Sequence, residues 1–293
     1  MTIRPRRSML YMPGSNARAI EKARELPADG VILDLEDAVA PDAKAQAREL
    51  VVQALQKGGF GGREVLVRIN GLDTAWWRDD LAVAAAGPDA LLLPKVSTPE
   101  QLRELARHFV GVGAEARIRV WAMMETPLAM LNAREIAAAA LDPATRLAGF
   151  VMGTNDLAKE TRARIVPGRA PMLPWLTACV AAARAYGLAI LDGVYNELGD
   201  LEGFAAECGQ ARDLGFDGKT LIHPQQIAPC NAAFSPAPEE VAWARKIIAA
   251  FDLPENAGKG VIQIEGRMVE RLHAEMARQV VAIAEAGAPM RPA

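Results

Sequence analysis

Two acidic residues each close a short apolar run. Glu125 follows Trp121–Met124, and Asp156 follows Gly149–Met152 within the sequence GTND. If those runs are neighbouring strands, the two carboxylates meet across a short gap at the strand ends. Two oxygen ligands, with the other positions left to water and substrate, suit Mg²⁺, which keeps much of its hydration; Mn²⁺ accepts the same donors. Both residues also have structural readings: Asp156 could cap the helix that follows, and Glu125 could pair with Arg68. Arg68 itself closes another run, in VRIN. A planar fork donor there could grip a substrate carboxylate bidentately or stabilise an enolate oxygen. It could equally pair with Asp34, Glu36 and Asp37, and the two readings are compatible, since such a pair would hold the arginine ready.

The segment MPGSN (Met12–Asn16) joins a run to a helical stretch whose first turn offers free N–H groups to an anion. Arg7 and Arg18 could add charge there, although Pro-Gly-Ser-Asn is also an ordinary turn and N-cap. Lys95 in LPK and Lys219 in DGKT are candidates for a Schiff base with a carbonyl substrate, which would make a metal-free aldolase and leave Glu125 and Asp156 idle. His223, in IHP, reads as a bond to substrate or to backbone. The glycine-rich Gly58–Gly62 leads into a strand, not out of one, so it is no dinucleotide fingerprint. Neither GxSxG nor HExxH occurs.

These residues need a scaffold that gathers strand ends. The chain repeats an apolar, β-branched run, a polar junction and an Ala-rich helical stretch. The runs are Ser8–Met12, Gly30–Leu33, Glu64–Ile69, Ala90–Leu93, Arg119–Met124, Leu147–Met152, Ala189–Leu191 and Phe216–Ile222. Helical stretches include Pro41–Gln56, Pro99–Phe109, Pro127–Ala140 and Leu201–Leu214, three of them opened by proline, whose missing N–H costs nothing in a first turn. Eight such units in one core-sized length predict a (β/α)8 TIM barrel, with an open doubly wound sheet as the alternative. Every run ends in polar residues: Pro13–Asn16, Asp34–Asp37, Arg68 and Asn70, Lys95, Glu125, Asn155–Asp156, Asp192 and His223. A barrel brings all of these to one face. The barrel is expected over residues 1–235. Residues 236–293 form a C-terminal helical arm or lid, with a helix over Pro238–Phe251, a break at Gly258–Gly260, an apolar run Val261–Ile264 and a last helix from Met268 to Ala284.

A net charge of −3 argues against general nucleic-acid or membrane-surface binding, despite a basic N-terminal cluster of Arg4, Arg6, Arg7, Arg18, Lys22 and Arg24. Cys179, Cys208 and Cys230 share no close spacing and leave one thiol unpaired in any disulfide scheme, which fits a reducing cytosol. No apolar stretch is long enough for a secretion signal or a membrane span, so a cytoplasmic location is expected.

Taken together, RSMLYMPGSN from Arg7, DGVILDLEDAVAPDAKAQAR from Asp29, VRIN, LPKV, METP, GTNDLA and GFDGKTLIHPQQI resemble the citrate lyase β-subunit and malyl-CoA lyase family, within the HpcH/HpaI aldolase superfamily. The resemblance runs almost the full length. It implies Mg²⁺ on Glu125 and Asp156, Arg68 on the keto-acid fragment, and Arg7 with the Pro13 turn on the acyl thioester. Asn155 joins the substrate-binding set, and a homotrimer or hexamer is implied. The implied reaction is carbon–carbon cleavage or formation of a 3-hydroxyacyl-CoA such as malyl- or citramalyl-CoA, giving acetyl-CoA and glyoxylate or pyruvate. Alternatives are a citryl-thioester lyase, a malyl-CoA thioesterase or a non-catalytic subunit. The family's proton donor to the enolate is an aspartate of the C-terminal arm, reaching into a neighbour's site. Here Gly266–Glu270 carries a glutamate at that position, so Glu270 is the expected catalytic acid.

Overall fold

A computed structural model of the chain describes residues 4–109 and 111–287. The apolar runs become eight parallel strands: β1 (Ser8–Pro13), β2 (Gly30–Asp34), β3 (Glu64–Arg68), β4 (Ala90–Leu93), β5 (Arg119–Met124), β6 (Leu147–Met152), β7 (Ala189–Asp192) and β8 (Gly218–Leu221). Neighbours in sequence are neighbours in the sheet, and β8 returns to pair with β1. The fold is therefore a closed (β/α)8 TIM barrel and not an open sheet. Closure removes both sheet edges and the unpaired backbone groups they would expose.

Local sequence sets the helix starts. Before Pro99–His108, Gln101 Oε1 accepts from the N–H groups of Ser97 and Thr98 (2.6 and 3.1 Å). Before Pro127–Leu131, Thr126 Oγ1 accepts from the N–H of Ala129 (3.0 Å). Each bond satisfies a backbone group that the helix cannot pair internally. The helix expected from Pro127 to Ala140 is interrupted. Asn132 leaves helical geometry (φ −103°, ψ 15°), its side-chain amide donating to Ser97 O at 2.9 Å, and a second helix runs Ala133–Ala138.

Alternate strand residues fill the barrel: Met9, Ile32, Leu66, Leu92, Trp121, Met123, Val151 and Leu191 form one buried cluster against which Tyr11 packs. Towards the C-terminal ends this interior turns polar. Pro13 stands opposite Asp34, and Asp34 opposite Arg68, in register. The layer above the apolar core is thus built from the residues that end the strands.

By contacts the chain divides into two compact units, Arg6–Ala233 and a second comprising Arg4, Pro5 and the described residues from Phe234 onward. The second unit packs the helix Pro238–Phe251 and the helix Arg271–Ala286 with a hairpin, β9 (Val261–Ile264) and β10 (Arg267–Glu270), around Ala244, Ile247, Phe251, Ile262 and Val269. The last helix starts later than the expected Met268, because Met268 belongs to β10. The turn between the strands takes two consecutive positive φ values, Glu265 at 48° and Gly266 at 78°. That conformation matches the twist of a tight hairpin, and glycine adopts it without strain.

Candidate active site

A pocket of about 390 Å³ lies at the C-terminal strand ends, lined among others by Pro13, Arg68, Glu125, Asn155 and Asp156. Five of the expected site residues therefore share one cavity. Glu125, 1% exposed, accepts the backbone N–H of Lys95 on Oε1 (2.7 Å). Its other oxygen faces Gly153, where any Cβ would collide with Oε2, so only glycine permits this close approach. Burial first, and the nearby charge of Glu36 second, push the Glu125 carboxyl up to about 8, with Asp156 adding to the effect. Asp156 lies in the first turn of the helix Thr154–Thr161, whose N-cap is Gly153. Among the described residues, Asp156 has no hydrogen-bond or ion-pair partner and Glu125 makes no ion pair with Arg68. Both structural readings of the carboxylates therefore fall away.

Arg68 is pinned. Its Nε and Nη2 donate to the two oxygens of Asp34 (2.7 and 2.5 Å), and Nη1 lies 2.8 Å from Glu36 Oε2. Its guanidinium lies over the Tyr11 ring, 4.9 Å from the centroid. Burial works against its charge, but Asp34 and its other neighbours hold the proton on more firmly than usual. The arginine reaches the pocket already oriented, and the Asp34 pair uses one edge of its fork. Tyr11, also in the pocket wall, keeps its phenol protonated through burial. Sequence reasoning passed over Tyr11 as a strand residue; the available signal was a polar group at an inward position of β1.

The Schiff-base alternative loses its nucleophile. Lys219 is fully buried, its ammonium 2.7 Å from both Asp192 and Glu207. Lys95 bonds Glu36 (2.9 Å), and that partner outweighs burial and holds the amine protonated above the ordinary lysine range. Neither presents a free amine.

Arg7 is not brought to the pocket. It precedes β1, at the opposite end of the barrel, where its guanidinium takes both oxygens of Asp29 (2.8 and 2.7 Å) at the entry to β2. The acyl-thioester contact expected of it is out of reach within this chain. Arg6 is likewise spent on Glu64 (2.5 and 2.9 Å). Part of the MPGSN turn is taken up by the chain itself: Gly14 N–H donates to Asp34 O (2.8 Å), Asn16 N–H to Pro13 O (3.0 Å), and Asn16 Oδ1 accepts from the Ala19 N–H (3.1 Å) as an N-cap. His223 is structural, accepting the Gln225 N–H at Nδ1 (3.2 Å). Glu270 ends β10 in the second unit, half-buried, its N–H donated to His273 Nδ1 at 2.9 Å.

The pattern of the HpcH/HpaI aldolase/citrate lyase family matches residues 7–224. The chain belongs to that family. A (3S)-malyl-CoA thioesterase of Cereibacter sphaeroides is 52% identical over 288 residues, covering 98% of this chain and 97% of that protein. The citrate lyase subunit beta of Leuconostoc mesenteroides subsp. cremoris is 36% identical over 289 residues, covering 97% and 94%. Among solved structures, protein CitE of Mycobacterium tuberculosis, in complex with magnesium, acetoacetate and coenzyme A, aligns with a TM-score of 0.76 at 31% identity, covering 97% of this chain and all of that one. Among the described residues no helix is long and apolar enough to cross a membrane.

Proposed function

We propose that this family member hydrolyses the CoA thioester of a short hydroxy-dicarboxylic acid, with malyl-CoA as the first candidate, using Mg²⁺ or Mn²⁺ held by Glu125 and Asp156. The observation that carries this reading is 52% identity along nearly the whole chain to a malyl-CoA thioesterase, against 36% to a citrate lyase subunit. Hydrolysis thereby displaces carbon–carbon cleavage as the first reading. The residues fit a divalent ion: two carboxyl groups line one pocket, one of them pushed up to about 8 by burial first, with an oxygen cradled against Gly153. Carboxylates that repel one another without a cation are stabilised by one.

Bound there, the ion supplies Lewis-acid polarisation of the substrate's oxygens. The chain does the rest. Arg68, held by Asp34, offers its remaining donors to the substrate's charged oxygens. Asn155 is placed by a reciprocal amide pair with Asn196 (3.2 and 2.8 Å) and presents itself at the pocket wall. Met123, Met152 and Val194 give the cavity apolar walls. Asp37 is the pocket carboxylate most open to solvent and takes the proton from the attacking water. The new C–O bond forms as the C–S bond breaks, and CoA leaves with a proton.

A second reading, cleavage to acetyl-CoA and glyoxylate, is supported by the family's aldolase and citrate lyase character. In that reading Glu270, supplied by a neighbouring copy in a trimer or hexamer, protonates the enolate. Glu270→Gln then slows cleavage by roughly 10²–10⁴-fold and leaves hydrolysis untouched; light scattering measures the assembly. The deciding experiment incubates malyl-CoA with protein and Mg²⁺ and follows free thiol and glyoxylate separately. Thiol without glyoxylate supports hydrolysis, glyoxylate without thiol supports cleavage, and neither product sinks both.

A further inference from the structure

Lys95 adopts a left-handed backbone (φ +53°) beside the pocket, a region that glycine and asparagine favour and lysine seldom occupies. Such a conformation persists where the surroundings over-determine it. Two contacts do so here, and they point in different directions. The backbone N–H of Lys95 donates to Glu125 Oε1 at 2.7 Å, which leaves Oε2 turned to Gly153. The side-chain ammonium reaches Glu36 Oε1 at 2.9 Å, and the other oxygen of Glu36 lies 2.8 Å from Arg68 Nη1. An extended backbone at this position would withdraw the N–H from Glu125. A glycine would keep the backbone and lose the ammonium. Only a side chain carrying a positive charge in a left-handed residue makes both contacts.

Glu36 itself is held in place from outside the pocket. Lys44 Nζ donates to the carbonyls of Leu35 and Glu36 (2.8 and 2.7 Å), and Asn70 Nδ2 to that of Leu35 (3.0 Å). The backbone at Leu35 and Glu36 is thus anchored by side chains, and Lys95 bonds to a carboxylate carried on that anchored backbone. Without the ammonium, Glu36 Oε1 loses its hydrogen bond, and the carboxylate is left with the nearby charge of Lys44 and with Arg68, which Asp34 already shares. Neutralising itself by taking up a proton then weakens its hold on the arginine.

We propose that Lys95 is a positioning residue that sets both halves of the site at once, Glu125 through its N–H and Arg68 through Glu36. The inference rests on Glu125 as a cation ligand and Arg68 as a substrate contact. It concerns a residue that does not itself line the pocket.

Three variants separate the two arms. Lys95→Gly keeps the left-handed backbone, so the Mn²⁺ affinity of the folded protein, measured calorimetrically, stays near wild type, while kcat/KM on malyl-CoA falls on the order of tenfold. Lys95→Arg restores most of that loss by restoring the charge. Lys95→Val disfavours the left-handed backbone and weakens Mn²⁺ binding by roughly ten- to a hundredfold, the range for partners that orient metal ligands. Wild-type kcat/KM in Lys95→Gly overturns the side-chain arm, and wild-type Mn²⁺ affinity in a folded Lys95→Val overturns the backbone arm. A readout independent of metal, turnover and the folding of Lys95→Val uses protein labelled with ¹⁵N-lysine or ¹⁵N-arginine. The Lys95 amide signal, assigned by its loss in Lys95→Gly, shifts in Glu125→Gln, and the Arg68 Nε–H signal shifts in Lys95→Gly. Unmoved signals overturn the proposal. Wild-type protein that ignores Mn²⁺ or malyl-CoA defeats the functional reading alone, because these two signals still report on Lys95.

Discussion

Two of the barrel's buried charge clusters are built on opposite accounts. Below the loops after β7 and β8, Asp192 accepts from Arg169 Nη1 on both oxygens (2.8 and 2.7 Å) and from Lys219 (2.7 Å), while Glu207 takes the other side of Lys219. Two cations meet two anions. Burial opposes the Asp192 charge most strongly, yet Lys219 and Arg169 hold its carboxyl below the usual range. Around Arg68 and Lys95, by contrast, Asp34, Glu36, Asp37, Glu125 and Asp156 outnumber the cations, and Glu125 is pushed up to about 8. A cluster that balances itself ties β7 and β8 to the loop at Arg169 and the helix Leu201–Leu214. A cluster left with excess negative charge is poised for a cation that the chain does not supply. Strong burial of charge thus accompanies a structural pin in one place and the candidate site in the other, and the balance of partners tells them apart.

Breaking the balanced cluster should have the largest effect. Lys219→Met leaves Asp192 and Glu207 to Arg169 alone and costs about 3–5 kcal/mol in urea denaturation; a loss below about 1 kcal/mol would mean that the cluster is not the structural pin described. The opposite outcome is expected in the unbalanced cluster. Glu125→Gln replaces a carboxyl that burial makes costly to ionise by a neutral amide, so the metal-free protein keeps or gains stability, while divalent-dependent activity falls on the order of 10³-fold. Equal destabilisation in both variants would erase the distinction.

Arg68→Lys is a smaller break. An ammonium cannot reproduce the fork that binds Asp34 and still faces the pocket, and kcat/KM should drop on the order of 10²-fold in a folded protein. Near-wild-type kinetics would remove Arg68 from the site. The last test is the pH dependence of the metal-free protein. The folded Glu125 carboxyl, near 8, binds its proton more tightly than the unfolded one, near 4.5. Its contribution to stability is complete below about 4.5 and is lost as pH rises towards 8. The melting temperature without metal should therefore fall across that window more steeply than in Glu125→Gln, and saturating Mg²⁺ should flatten the difference. Parallel curves would show that Glu125 ionises as it does in water.

Much of this was legible in the chain. The eight apolar runs and their polar ends predict the barrel and the face where Pro13, Arg68, Glu125, Asn155 and Asp156 meet, because a strand's period and its terminus are local properties. Short motifs spread from Arg7 to Ile227 were enough for the family. The choice between hydrolysis and cleavage was less legible, since both use the same carboxylates and arginine. The last helix was placed too early because Met268 and Val269 continue an apolar pattern that fits strand and helix alike, and only the turn at Glu265 and Gly266 decides between them.

What the sequence alone determined is therefore the order of elements and the residue types at each strand end. Tertiary structure decided which of those residues are used up by one another. Arg7 and Arg68 are both arginines at strand ends, but one stands at the N-terminal end of β1 bound to Asp29 and the other at the C-terminal end of β3 facing the pocket. Lys95 and Lys219 both look like free amines in the sequence, and both are paired in the fold. The physical reason is that charge in a barrel is felt across strands far apart in sequence. A carboxylate's surplus or balance is fixed only when Glu36, Glu125 and Lys95, or Asp192, Glu207 and Lys219, are brought within a few ångströms.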